Sequence, residues 1–412
     1  MMIKTSPSDI SKRYVGQQID VYGLVLHVRD LGRKKFIIIT DGKSILQIVY
    51  SGSEKVRRGD TIRASGIIKE DPRAPTGLEM VANNITFLSK SIDERFDQWS
   101  LRNMNKDKKI KYRALLLRLL EFYKVFEEYA NVTQYLREYY RNLGFLEIFT
   151  PKVVRMGTES GSEVFSILYF DKDAYLAQSP QLYKQMLMAS GIKGVYEVGS
   201  YFRAEVSFTP RHLTEFRGFD VEVNYIEDYS EIMKILEDSV KYVLSKLELS
   251  YPKEFPVISF KDAKQILQEK YDIRLKDDLS TEAEKALGDY AKKEYDSDLI
   301  FIVEFPYDSR PFYTMRKEED PKYTYSFDLL YKGLEIASGS KREYRYEILI
   351  KQIKEKGINP ERMKWYLEVF KYGIPPHGGF GLGIDRFVRQ LLELQDIREV
   401  VLFPRDPDTL EP

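Results

Sequence analysis

Residues Phe202–Asp220 read FRAEVSFTPRHLTEFRGFD, two strand-patterned runs joined by VSFTPRHL, a loop with Pro210 and little apolar content. Arg203 lies on the first run and Arg211 with His212 in the loop, so their cationic groups can converge on one ligand from both sides. The planar fork of arginine suits a bidentate grip on phosphate or carboxylate. Surface salt bridges with Glu205 and Glu215 are the alternative use of the same charges.

A second stretch, PPHGGFGLGIDRF (375–387), puts a glycine-dense strand or turn before a helix holding Arg386. Glycines let a ligand approach the backbone closely, although they serve packing equally well. Two of the three histidines, His212 and His377, fall in these two stretches. No Gly-x-x-x-x-Gly-Lys-Ser/Thr loop occurs, so any nucleotide site must be of another kind.

Working outward, Gln18 to about Ser89 alternates β-rich runs (IDVYGLVLHV, KKFIIITDG, ILQIVYSG, DTIRASGIIKE, LEMVANNITFL) with Gly and Asp-Gly turns. Five short strands so punctuated predict a small OB-type barrel, a scaffold that commonly binds single-stranded nucleic acid. The stretch LRNMNKDKKIKYR that follows carries six Lys/Arg against one Asp and reads as a solvated linker or a phosphate-backbone contact. Beyond it, 114–143 has helical spacing, FLEIFTPKVV reads as a strand closed by Pro151, and 229–295 is helical and charged. Strands mixed with helices but without regular βαβ alternation predict an α+β domain with a mainly antiparallel sheet flanked by helices. The expected division is a barrel domain at 1–92, a hinge at 93–122 and a second domain at 123–412 with a helical insertion near 229–295.

Composition narrows the class. The 412 residues balance 64 Lys+Arg against 64 Asp+Glu, so a polyanion must be met by a local patch rather than by net charge. The absence of cysteine excludes disulfides and thiolate metal sites and fits a reducing interior, so cytoplasm is expected. Neither a signal-peptide core at the amino terminus nor an apolar run near the ~20 residues of a membrane helix is found, so no membrane partner is expected.

FTPKVV, YFRAEVSFTPRHLTEFRGFDVE and GGFGLGIDRF resemble motifs 1, 2 and 3 of class II aminoacyl-tRNA synthetases, in that order. QSPQLYKQ, RPFYTM and KYGIPPHGGFGLG narrow the resemblance to aspartyl-tRNA synthetases of the archaeal type. The resemblance implies that aspartate and ATP form an aspartyl-adenylate, whose acyl group passes to a terminal ribose hydroxyl of tRNA(Asp), and of tRNA(Asn) if discrimination is relaxed. Arg203 would then hold the α-phosphate and the reacting carboxylate, Arg211 and His212 the outer phosphates, and Arg386 the γ-phosphate. Phe216 would stack on adenine, Glu205 would read its amino group, and Leu213 and Gly383 would complete the ATP site. Glu335 and Ser338 match the family's Mg²⁺ ligands, hard oxygens suited to that ion.

For the amino acid, the resemblance implies Lys184 and Arg342 on the aspartate side chain, and Gln181 and Asp220 on its ammonium group. Glu159 and Ser160 of TESGSEVF would help, with Ser338 beside them. A cation pair favours aspartate over asparagine, because an amide leaves buried charge unpaired. In the barrel, Arg29, Phe36, Gln47 and Glu79 match positions that read the anticodon, the alternative for Phe36 being packing in the barrel interior, since KKFIII also reads as an apolar strand. Leu24 and Leu26 stand where relatives often carry Trp and an aromatic or polar residue; the second bears on tRNA discrimination. Pro151 belongs to a motif that builds a homodimer interface in this class. Competing readings are a paralogue that converts aspartyl-adenylate to asparagine, an asparaginyl-tRNA synthetase, and a non-catalytic RNA-binding paralogue.

Overall fold

The architecture is given by a computed structural model, which describes residues 4–157, 163–206 and 209–412. Five strands close into a barrel in the order β1-β2-β3-β5-β4: β1 (Gln18–Asp30), β2 (Lys35–Thr40), β3 (Ile45–Tyr50), β4 (Thr61–Glu70) and β5 (Leu78–Ser89). Side chains alternate across a strand. Ile37 and Ile39 of β2 therefore join Val21, Ile48 and Met80 inside the barrel, while Phe36 and Ile38 stay half-buried on its outer side.

The basic segment after the barrel is folded rather than a solvated linker. It forms α1 (Gln98–Arg102), α2 (Lys106–Lys111) and α3 (Arg113–Leu116), and Leu101, Leu116 and Leu119 build a small core with Phe96, Met104 and Phe122 around it. Asp97 and Asn105 cap α1 and α2 by accepting from the amides of Ser100 and Lys108. The chain divides into two compact units, Met1–Glu128 with Glu411–Pro412, and Tyr129–Leu410. The helix α4 spans Leu120–Asn142.

The second unit is organised on an eight-stranded sheet. Its strands in chain order are β6 (Leu146–Glu147), β10 (Gly194–Phe202), β11 (Glu215–Asn224), β12 (Val257–Ser259), β13 (Leu299–Val303), β14 (Ser326–Tyr331), β15 (Leu334–Lys341) and β16 (His377–Gly383). Three short strands, β7 (Val153–Val154), β8 (Ser166–Tyr169) and β9 (Lys172–Leu176), form a separate small sheet. The main sheet runs β12-β13-β14-β15-β16-β11-β10-β6, antiparallel except for the β12–β13 and β6–β10 pairs. FLEIFTPKVV is thus not one strand: Leu146–Glu147 pairs with β10, and beyond Pro151, Val153–Val154 pairs with β9.

Helices cover the sheet: α5 (Gln181–Met188), α6 (Tyr229–Lys246), α7 (Phe260–Tyr271), α8 (Thr281–Tyr295), α9 (Tyr346–Glu355), α10 (Lys364–Leu367) and α11 (Ile384–Leu391). The charged segment 229–295 is built into this layer, since it supplies the edge strand β12 and packs α6 on β15 and β16. Strands β14 and β15 turn through Lys332-Gly333, both at positive φ (47° and 70°), the two-residue geometry that matches strand twist.

Candidate active site

The hairpin β10–β11 pairs in unbroken register from Gly194↔Val223 to Phe202↔Glu215, and β11 pairs in turn with β16. That order lays the two charge-bearing stretches of the sequence side by side. A cavity of about 450 Å³ opens over them. Arg203, Glu205, Arg211, His212, Leu213 and Phe216 from the hairpin line it, with Gly383 and Arg386 from β16 and α11 and Glu335 from β15. Gln181, Asp220, Ser338 and Arg342 line it as well. Glu159 and Ser160 lie outside the described residues.

Arg203 follows β10, its amide donating to Thr214 O at 3.0 Å, so the mouth of the hairpin is pinned. Its guanidinium carbon sits 5.2 Å from the Phe216 ring centroid, and its buried Nε has no partner among the described residues. Arg386 donates from Nη1 to Glu335 O at 3.1 Å, with the Glu335 carboxylate 3.5 Å away. Ahead of it, buried Asp385 accepts from the Arg217 amide (2.9 Å) and the Tyr129 hydroxyl (2.7 Å), which ties α11 to β11. Glycine is required at 379 in β16, where a Cβ would meet Val221 O at 2.0 Å. Without that close approach the two strands could not hold this register.

His212 is held neutral. Burial and the positive charges of Arg386 and Arg211 push its pKa down from 6.5 to about 4. As the pH falls from 6.5 towards 4 the unfolded chain takes this proton before the folded one, so stability falls across that window. His212→Gln should remove this component, leaving a shallower drop in the urea midpoint between pH 7 and 4.5 than the wild type shows.

Lys184 does not line the cavity. It is 1% exposed, and its ammonium group donates to Asp220 Oδ1 (3.1 Å), Val221 O (3.2 Å) and Phe380 O (3.1 Å), with Glu222 Oε2 at 3.4 Å. Arg342 reaches the cavity but also grips Glu222, Nε to Oε1 at 2.9 Å and Nη2 to Oε2 at 3.2 Å. The cation pair implied by the sequence is therefore already balanced by two carboxylates, Asp220 and Glu222. The Glu222 pKa is lowered because Arg342 and Lys184 outweigh its complete burial. Gln181 Oε1 accepts from Arg342 Nη2 at 3.2 Å, while buried Nε2 has no partner. This orientation offers a ligand a donor, suited to a carboxylate oxygen rather than to the ammonium group expected for Gln181.

In the barrel unit, Arg29 pairs with Phe36 across β1–β2, and Gln47 with Glu79 across β3–β5, where Gln47 Nε2 donates to Glu79 Oε2 at 2.9 Å. Phe36 is absent from the barrel core and is paired with Val49, which is paired with Val81. An aromatic and apolar strip thus crosses the outer face beside a polar pair.

Residues 105–407 match the family of class II tRNA synthetases for D, K and N, and residues 19–88 match the OB-fold nucleic acid binding domain. The chain belongs to the class II tRNA synthetases. This synthetase is 40% identical to an aspartate–tRNA(Asp/Asn) ligase of Aeropyrum pernix over 97% of its length and 96% of that protein. It is 39% identical to an aspartate–tRNA(Asp) ligase of Pyrococcus furiosus over the full length of both. Among solved structures, asparaginyl-tRNA synthetase of Pyrococcus horikoshii with bound asparaginyl-adenylate superposes with a TM-score of 0.90 at 31% identity, covering both chains completely.

Three further residues of the synthetase cavity escape a sequence reading. Arg310 of RPFYTM donates to Asp328 Oδ2 (2.7 Å) and Ser338 Oγ (3.2 Å), its guanidinium carbon 3.7 Å from the Phe305 ring centroid. Asp328 lies opposite Ser338 in the β14–β15 register, is 2% exposed, and leaves Oδ1 without a partner. Burial pushes its carboxyl pKa upward and nearby Glu335 reinforces the shift, against the pull of Arg310. Glu284 of α8 receives Arg211 Nη1 at 2.8 Å on one oxygen and the Glu335 amide at 2.8 Å on the other. One helical turn on, Gly288 explains its reach: a Cβ there would lie 2.5 Å from Gly333 Cα, so only glycine lets α8 settle on the β14–β15 turn.

Proposed function

We propose that this chain is an aspartate–tRNA ligase that forms aspartyl-adenylate from aspartate and ATP and transfers the aspartyl group to tRNA(Asp), with tRNA(Asn) as a second acceptor if discrimination is relaxed. The observation that carries the reading is the one cavity lined by Arg203, Phe216 and Arg386 together with Asp220, Gln181 and Arg342. The aspartate α-carboxylate oxygen attacks the α-phosphorus, the bond to pyrophosphate breaks, and the guanidinium of Arg203 meets the charge on the phosphoryl oxygens. Positioning and preorganised charge supply the rate, and this step needs no general base. Asp220 accepts from the α-ammonium group, and Gln181 Nε2 and Arg342 donate to carboxylate oxygens. In the second step the terminal ribose hydroxyl of tRNA attacks the adenylate carbonyl and AMP leaves.

The oxygens of Glu335, Ser338 and Asp328 fit Mg²⁺, the open Oδ1 of buried Asp328 being the third hard donor of the set. These residues would hold the ion, which would supply neutralising charge for the phosphates of ATP. Aspartate is favoured as substrate by the whole-chain similarity to curated aspartate ligases, 39–40% identical over 97–100% of this chain. Homodimerisation through the Pro151 segment belongs to the same proposal. Leu146 (52% exposed), Phe149 (81%) and Val153 (42%) present apolar surface there. A cytoplasmic site of action is part of it too; no described helix is long and apolar enough to cross a membrane.

Charging of tRNA(Asp) and tRNA(Asn) transcripts with aspartate tests the proposal: tRNA(Asp) should be acylated and its failure would overturn the proposal, while the outcome with tRNA(Asn) decides whether discrimination is relaxed. In the barrel, Phe36→Ala should weaken tRNA binding by roughly 1–3 kcal/mol, the worth of one stacked base, and leave amino-acid activation unchanged. Equal loss of both activities would make Phe36 a folding residue instead.

A further inference from the structure

A second cavity, of about 490 Å³, opens beside the start of α7. Lys261, Lys264, Lys276 and Lys322 line it together with Arg316 and Tyr307. No ion pair joins any of the four lysines to an acidic side chain among the described residues. Lys261 stands in the first turn of α7, where the positive end of the helix dipole disfavours a cation. Such a placement costs stability unless an anion answers it. Inside, the Tyr307 hydroxyl and Arg316 Nε are buried without a hydrogen-bond partner among the described residues, while Arg316 Nη2 donates to Glu355; the Arg316 guanidinium carbon lies 3.6 Å from the Tyr307 ring centroid. Asp277 and Asp308 are the acidic residues of the lining and Arg316 is already paired with Glu355, so the four lysines face two carboxylates.

Two chain segments serve as a partition between this cavity and the first. Asp277 lines the basic cavity and Asp278 the catalytic one; Asp308 lines the basic cavity and Arg310 the catalytic one. We propose that the basic cavity is a second binding site for a phosphate-bearing anion, supplied either by the tRNA backbone or by free inorganic phosphate. Flexible ammonium groups on the rim act as point charges for phosphate, and Arg316 and Tyr307 supply directed donors beneath them. The tRNA source rests on the function proposed above; the free-anion source does not.

The test uses the full chain and the triple variant K261Q/K264Q/K322Q, with the catalytic cavity saturated by ATP for the phosphate arm. If free phosphate is the ligand, calorimetry should show inorganic phosphate binding to the wild type and at least tenfold weaker binding to the variant. If tRNA supplies the phosphate, the variant's tRNA Kd should rise about tenfold at low salt. The slope of log affinity against log salt should then shrink by about one or more. Aspartate-dependent pyrophosphate exchange should stay at the wild-type rate in either case. Wild-type affinity of the variant for both ligands overturns the proposal. Should the triple variant lose exchange through misfolding, Tyr307→Phe replaces it and must weaken one of the two ligands at least threefold, or the proposal fails. Absence of exchange in the wild type itself would instead count against the proposed function.

Discussion

Arg203→Ala is expected to lower the rate of aspartate-dependent pyrophosphate exchange by about 10²–10³-fold, the usual cost of deleting one preorganised donor aimed at developing charge. Its amide is fixed to Thr214 and its guanidinium lies against the Phe216 ring, while its buried Nε has no partner among the described residues and is left to a ligand. Arg203→Lys should recover little, because an ammonium group cannot offer two parallel donors. Stability should change much less than rate, since Arg203 forms no ion pair with a carboxylate among the described residues. A large fall in the urea midpoint of Arg203→Ala, matching the loss of rate, would show the residue to be structural.

Lys184→Met should do the reverse, acting first on stability. Its removal takes the ammonium group away from Asp220 and from fully buried Glu222, which keeps Arg342, and breaking a buried pair in this way costs about 3–5 kcal/mol. Against the 5–15 kcal/mol that ordinarily separates folded from unfolded states, that is a large share. The double variant K184M/E222Q, which withdraws one charge of each sign, should regain part of the lost stability in urea denaturation. Aspartate activation should remain impaired in both variants, because Asp220 and Arg342 are positioned through this buried cluster. An unchanged urea midpoint in K184M would show that Lys184 does not hold the cluster together.

The hairpin Phe202–Asp220 was legible because its chemistry is local: period-two patterning, a proline in the loop and arginines on either side of it. So was the barrel, whose outer and inner residues follow from alternation once the register of β2 is known. What could not be read was which member of a charged set faces inward. Glu284 looks like any acid of a Lys/Glu-rich helix until Gly288 is seen against Gly333. Asp328 sits in an apolar run, SFDLLY, and only the pairing with Ser338 brings it to the cavity. Lys184 and Gln181 share one helix, three residues apart, yet Gln181 reaches the cavity wall and Lys184 turns to carbonyls and carboxylates behind it. The basic run after the barrel misled for a related reason: its charges are frequent, but the few apolar residues between them suffice for a small core. Motif spacing identifies the set of residues, and long-range pairing decides what each one touches.

The central claim, that one cavity activates aspartate with ATP, is tested most directly by pyrophosphate exchange with purified protein, supplied with aspartate and with asparagine in parallel. Exchange that depends on aspartate and is at least 100-fold slower with asparagine is the expected result, in line with what a site built to pair charge can discriminate. Exchange supported by asparagine and not by aspartate would contradict it.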